Sequence, residues 1–202
     1  MALVTMFSSG MPRARGMAIH GLSMGLAMLL LSLAPAVSAQ TGAAPLGWYV
    51  QGGPSVQRDR ENQTLFFGVM LPRTHEEAAG PVTSYWDLYV GQWRGEQANR
   101  AQGRFSQVGA AVIWRRRLVD NASPWFGEGG LGISYLDGDY SIPDGRIFGS
   151  RLTFNGRLGI GRSFGGRAEH ELSLNYLHFS NGGIKKPNPG MDLLQMRYAY
   201  RF

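Results

Sequence analysis

The 202-residue chain contains no cysteine. Disulfides therefore contribute nothing to its stability, and an exported chain of this kind must hold together by core packing or closed hydrogen bonding. Long hydrophobic runs are also missing: past residue 40 no apolar stretch approaches the roughly 18 residues a membrane-spanning helix requires. Charge is sparse, at 17% of residues with a formal net charge of +6. Its basic excess is scattered apart from Arg115-Arg116-Arg117. No basic stretch interleaves with aromatics in the manner of a nucleic-acid footprint, so nucleic acid is not an expected partner.

What is present begins with a leader. Arg13 and Arg15 form a positive segment, an apolar run follows from about Leu22 to Ala34, and Val37-Ser38-Ala39 fits the small-residue cleavage pattern. Residues 1–39 read as a removed secretory signal, and 40–202 as a single domain of ordinary size. The apolar run is short for a transmembrane helix. The two arginines are not adjacent, which argues against a twin-arginine signal.

Beyond the leader, polarity alternates with period two, the signature of strands with two different faces. Over 148–160, Phe148, Leu152, Phe154, Leu158 and Ile160 share one face, while Arg151, Thr153, Asn155 and Arg157 share the other. Leu172, Leu174 and Tyr176 oppose Glu171, Ser173 and Asn175, and Leu194, Met196, Tyr198, Tyr200 and Phe202 oppose Gln195, Arg197 and Arg201. Eight such segments are expected, at about 46–57, 63–72, 84–94, 104–116, 124–136, 147–163, 168–180 and 190–202. Turn chemistry separates them at Asp137-Gly138-Asp139, Asp144-Gly145, Gly165-Gly166 and Pro187-Asn188-Pro189-Gly190. Segments of this length cross a bilayer as tilted strands, and eight is the smallest even count for bacterial single-chain barrels. The expected fold is all-β, an eight-stranded antiparallel transmembrane β-barrel. Its charged face would line the interior, where Glu128, Glu171, Arg151, Arg157 and Arg197 could pair. Its apolar face would meet lipid, with Trp48, Trp125, Tyr135, Tyr198 and Phe202 near strand ends as an aromatic girdle. The rival, a soluble secreted barrel with its apolar face inward, would not carry so many charges on the inner face.

With both termini in the periplasm, the seventh segment ends at the cell exterior and the eighth begins there. His178 and Ser180 have the parity of the apolar face of the seventh segment. If His178 lies opposite Asp192, then Tyr176 faces Leu194 and Leu174 faces Met196, which keeps both apolar stripes on one side. Directly opposed residues have Cβ atoms about 5 Å apart. A one-residue slip would turn Asp192 into the lumen. Ser180 would be the nucleophile, His178 the general base and Asp192 the orienting acid. Asn181 and the backbone amides around Gly182-Gly183 are the nearest donors for an oxyanion. From spacing alone, a histidine or serine near a strand end is more often an interfacial polar residue.

The segment Tyr176-Leu177-His178-Phe179-Ser180-Asn181-Gly182, followed by Pro187-Asn188 and an acidic residue at 192, resembles the signature of PagL-type lipid A 3-O-deacylases. The resemblance covers about thirty residues. It implies an outer-membrane barrel and a serine-type carboxylic ester hydrolase that removes the 3-hydroxyacyl chain at position 3 of lipid A. It also implies the roles just given to Ser180, His178 and Asp192, and makes Asn181 an oxyanion contributor, beside the backbone-amide candidate Gly183. The implied partner is lipid A or lipopolysaccharide in the outer leaflet, with no cofactor and no metal. A homodimer is compatible with this reading. Asp192 departs from the pattern, where the acid is typically glutamate, one methylene longer. Lys185, Lys186 and Arg58 or Arg60 lie in expected exterior loops, where they could meet lipid A phosphates; a solvated loop explains them equally well. A non-catalytic structural or adhesive barrel is the alternative from another class. An outer-membrane phospholipase is less favoured, since no carboxylate cluster beside Ser180 could hold calcium. Gly127-Glu128-Gly129-Gly130-Leu131-Gly132 matches a dinucleotide fingerprint in letters but opens no helix.

Overall fold

A computed structural model describes residues 46–57, 62–73, 82–96, 102–141 and 148–202. The expected leader, residues 1–39, and Arg58 and Arg60 lie outside them. Eight strands follow in order: β1 (Gly47–Pro54), β2 (Asn62–Pro72), β3 (Val82–Glu96), β4 (Gln102–Arg117), β5 (Trp125–Leu136), β6 (Leu152–Phe164), β7 (His170–Ser180) and β8 (Met191–Arg201). Each is antiparallel to its chain neighbours, and β1 pairs with β8 to close the barrel. Closure satisfies every strand edge, the only way a sheet can sit in hydrocarbon. The connections after β1, β3, β5 and β7 share one end of the barrel, here the loop end. The start of β1 and the end of β8 lie at the other end.

The distribution of side chains is inverted relative to a soluble protein. Leu65, Leu131, Leu158 and Met196 are each more than 60% exposed on the outer wall. Asp87, Glu128, Glu171, Arg115, Arg157 and Arg197 are all buried in the interior. Isolated charges there would be prohibitive, so they are paired. Asp87 accepts from Arg157 at 2.6 Å and from Arg197 at 2.9 Å. Glu128 pairs with Arg115 at 2.9 Å and with Arg197 at 3.4 Å, and Arg115 reaches on to Glu171 at 2.7 Å. The hydroxyls of Tyr49 and Tyr85 donate to Asp87 and Glu128, and the Arg197 guanidinium lies 3.4 Å from the Tyr49 ring centroid. An apolar wall around a paired ionic interior is the arrangement of a transmembrane β-barrel.

Toward the loop end the filling becomes aromatic. The Trp93 ring meets Phe179 at 5.2 Å and Tyr140 at 5.5 Å, and Phe66 stacks on Phe179 at 6.4 Å. At the start of β1 and the end of β8 an outer aromatic cluster forms, with Trp48 at 5.9 Å from Tyr198 and Tyr200 at 5.8 Å from Phe202. Trp125 stands beneath the Arg162 guanidinium on the same outer surface. Tyr135 is exposed near the end of β5.

Large inward side chains need room in so narrow a barrel, and glycine supplies it. Tyr49, Phe66, Tyr89, Ile113 and Phe126 each lie opposite a glycine on the next strand: Gly68, Gly91, Gly109, Gly130 and Gly161. A Cβ on Gly91 would fall 2.0 Å from the Phe66 ring, and one on Gly109 2.3 Å from that of Tyr89. Gly130 belongs to the glycine-rich run of β5, so its role there is space and not a phosphate cradle.

Three expectations are corrected in the sixth segment. β6 begins at Leu152 and not at 147, so the alternation does not carry through 148–151. Phe148 is buried against Tyr140 at 5.7 Å and does not face outward. Arg151 does not join the interior network. It stands exposed and pairs with Asp139 at 3.0 Å, holding that carboxyl below the usual carboxylate range through the hydrogen bond they share.

Candidate active site

β7 and β8 bring the chemistry together. His178 lies directly opposite Asp192, Tyr176 opposite Leu194 and Leu174 opposite Met196. This is the register that keeps both apolar stripes outward. His178, Tyr176, Leu174 and Leu172 are exposed along the outer wall, while Leu177, Asn175 and Ser173 are buried between them. His178 Nδ1 lies 2.7 Å from Asp192 Oδ1. A carboxylate can only accept, so Nδ1 carries the proton and Nε2 keeps its lone pair. That is the tautomer a general base needs.

Ser180 is the last residue of β7, two positions beyond His178 on the same face, and pairs across to Phe154 of β6. Same-face neighbours on a strand are about 6.5 Å apart. Among the described residues no hydrogen bond joins Ser180 to His178. The carboxylate–imidazole link is formed and the imidazole–hydroxyl link is open.

The strand carrying these groups is anchored from behind. Phe179, between His178 and Ser180, is fully buried and packs against Trp93 and Phe66. Inward aromatic packing thus fixes the outward position of His178 and Ser180. Gly190, at positive φ of 65°, sits beside the His178 ring; a Cβ there would be 3.3 Å from His178 Cε1.

Sequence reasoning missed two partners of the acid. Tyr176 OH donates to Asp192 Oδ1 at 2.6 Å, and Gln57 Nε2 donates to Asp192 Oδ2 at 2.9 Å. Tyr176 was legible as a member of an apolar stripe and of the resembling segment, but not as a partner of Asp192. Gln57 comes from the β1–β2 connection, far away in sequence, and no local pattern marks it.

The β7–β8 connection is organised around Asn181, which is buried. Its Nδ2 donates to Lys185 O and, at 3.5 Å, to Pro187 O; its Oδ1 accepts from Gly183 N at 3.0 Å; and its own N–H donates to Asn188 Oδ1 at 2.9 Å. The two donors expected to face an oxyanion, Asn181 and Gly183, are thus engaged within the loop. They shape the chain that follows Ser180. Asn188 closes that brace, a role its place in a turn-rich sequence does not announce. Lys185 and Lys186 are exposed in this connection.

The outer wall of the barrel thus carries a histidine–carboxylate pair with a serine on the same face. The family model described as Lipid A 3-O-deacylase (PagL) matches residues 62–201. The chain belongs to the PagL family. A lipid A deacylase PagL of Bordetella bronchiseptica is 36% identical over 95 residues, covering 45% of this chain and 51% of that one. The PagL of Pseudomonas aeruginosa is 29% identical over 123 residues, covering 61% and 67%. The matched region therefore spans about half of the Bordetella relative and two thirds of the Pseudomonas one. The crystal structure of the outer membrane enzyme PagL superimposes with a TM-score of 0.59 at 22% identity, over 77% of this chain and 99% of that one. The PagL fold and this barrel are the same architecture.

Proposed function

We propose that the protein is an outer-membrane lipid A 3-O-deacylase, exported by removal of residues 1–39, with Ser180, His178 and Asp192 as its hydrolytic triad. The observation that carries this reading is the 2.7 Å His178–Asp192 bond on the outer wall of a PagL-family barrel, with Ser180 on the same face. Polar groups facing hydrocarbon are costly unless paired and functional. Lipid A lies in the outer leaflet, level with the loop end when both termini are periplasmic. It would reach Ser180 by diffusing along the membrane, with no need for a pocket.

In this mechanism His178 Nε2 takes the Ser180 proton as Oγ attacks the ester carbonyl of the 3-hydroxyacyl chain. Asp192 keeps the imidazole in its tautomer and stabilises the imidazolium. The proton then passes to the departing sugar oxygen, and water from the exterior releases the 3-hydroxy fatty acid from Ser180 by the same base. An oxyanion donor has to be recruited from the loop. The long 3.5 Å contact from Asn181 to Pro187 is the one most readily exchanged.

Mass spectrometry of lipid A from cells expressing the wild type or Ser180→Ala tests this reading. Loss of one 3-hydroxyacyl chain with wild type alone supports it. Unchanged lipid A from cells holding a correctly folded wild-type barrel sinks it.

A further inference from the structure

The carboxylate of Asp192 is held by more than the histidine it serves. Oδ1 accepts from both His178 Nδ1 at 2.7 Å and Tyr176 OH at 2.6 Å, and Oδ2 accepts from Gln57 Nε2 at 2.9 Å. The main chain is tied at the same point: Val56 N donates to Asp192 O at 3.0 Å, and Ser55 bridges to Leu193. The first hairpin thus continues past the end of β1 and latches onto the residue that carries the acid.

Each contact has a geometric reason. His178 is directly across from Asp192, where a short side chain suffices. Tyr176 lies diagonally, opposite Leu194. A diagonal separation of about 7–8 Å is within reach of an aromatic side chain with a terminal hydroxyl, and phenylalanine could not make the bond. Gln57 approaches from the opposite side, across β1. On a wall that meets hydrocarbon, water cannot be relied on to fill the remaining lone pairs of a carboxylate. Without these donors the side chain could turn away from the imidazole, and the ring would lose its fixed orientation toward Ser180.

We infer that Tyr176 and Gln57 are positioning residues for the reaction, clamping Asp192 so that His178 presents Nε2 to Ser180. This rests on the triad reading above. The clamp joins the catalytic hairpin to the first hairpin, so the β1–β2 connection is part of the active site although it carries none of the triad.

The test is steady-state hydrolysis of lipid A in mixed detergent micelles by purified, folded full-length barrel. Tyr176→Phe should lower kcat roughly tenfold, leave KM within about twofold, and leave the heat-modifiable gel mobility of the folded barrel unchanged. In an Asp192→Ala background the same substitution should cost nothing further, because the clamp then has nothing to hold. Gln57→Ala, which lies outside the strands, should behave in the same direction and keeps the test intact if Tyr176→Phe folds poorly. A rise in KM at constant kcat would make Tyr176 a substrate contact, and equal losses in both backgrounds would place its effect elsewhere; either overturns the clamp, as does full activity. Retained hydrolysis in Ser180→Ala would instead overturn the triad reading itself.

Discussion

Asp192 shows how a single side chain can be judged by its register and not by its length. Directly across from His178, it closes a 2.7 Å bond without the extra methylene of a glutamate. Ser180→Ala should abolish deacylation, by on the order of 10⁴-fold or more, while Asp192→Ala should cost less, on the order of 10²–10⁴-fold, because the histidine survives. Rates from the purified barrel check both, and equal losses would mean that His178 is useless without its carboxylate. The placing of His178 opposite Asp192, with Ser180 on the same face, was legible because strand parity and one register decide it. Tyr176 and Gln57 were not: the first looks apolar in a stripe of leucines, and the second sits in a connection with no periodicity. The place of Asn181 in the loop was not legible, since only the folded connection shows its amide committed to Lys185, Pro187 and Gly183.

At the scale of elements, the strands were readable to within a few residues wherever one face is apolar and the other polar. β3 is the hard case. Tyr85 and Trp93 point inward while Trp86 points outward, so aromatic residues occupy both faces, and its inward Asp87 was not singled out. The sixth segment failed differently. Alternation in 148–151 imitates a strand, but Phe148 tucks inward against Tyr140 and Arg151 pairs with Asp139 outside. The glycine seats carry an element-level expectation. Gly91→Ala should destabilise the barrel by about 1–3 kcal/mol or more through overpacking against Phe66. Phe66→Leu should recover part of that loss in the double variant. Urea unfolding from lipid vesicles measures both, and strictly additive losses would show that Phe66 is not what Gly91 accommodates. In the site hairpin, Gly190→Ala combines an unfavourable positive φ with a contact on the His178 ring. It should lower kcat while β7–β8 pairing persists.

For the whole molecule, stability depends on the charges inside and solubility in lipid on the wall outside. Asp87 is the hub, receiving Arg157 and Arg197. Asp87→Ala leaves two buried guanidinium groups short of a partner and should cost about 3–5 kcal/mol. Vesicle-based unfolding reads that loss, and a stability change below about 1 kcal/mol would mean that Glu128 alone suffices for the arginines. The same filling has an electrical consequence. Among the described residues the interior is filled along its length: Arg115 pairs with Glu128 and Glu171 toward the end away from the loops, Arg157 and Arg197 pair with Asp87 further in, and Trp93, Phe179 and Tyr140 pack toward the loop end. Inserted in a planar bilayer under voltage, this barrel should be an insulator, silent in current recordings where a porin of the same membrane would open in steps.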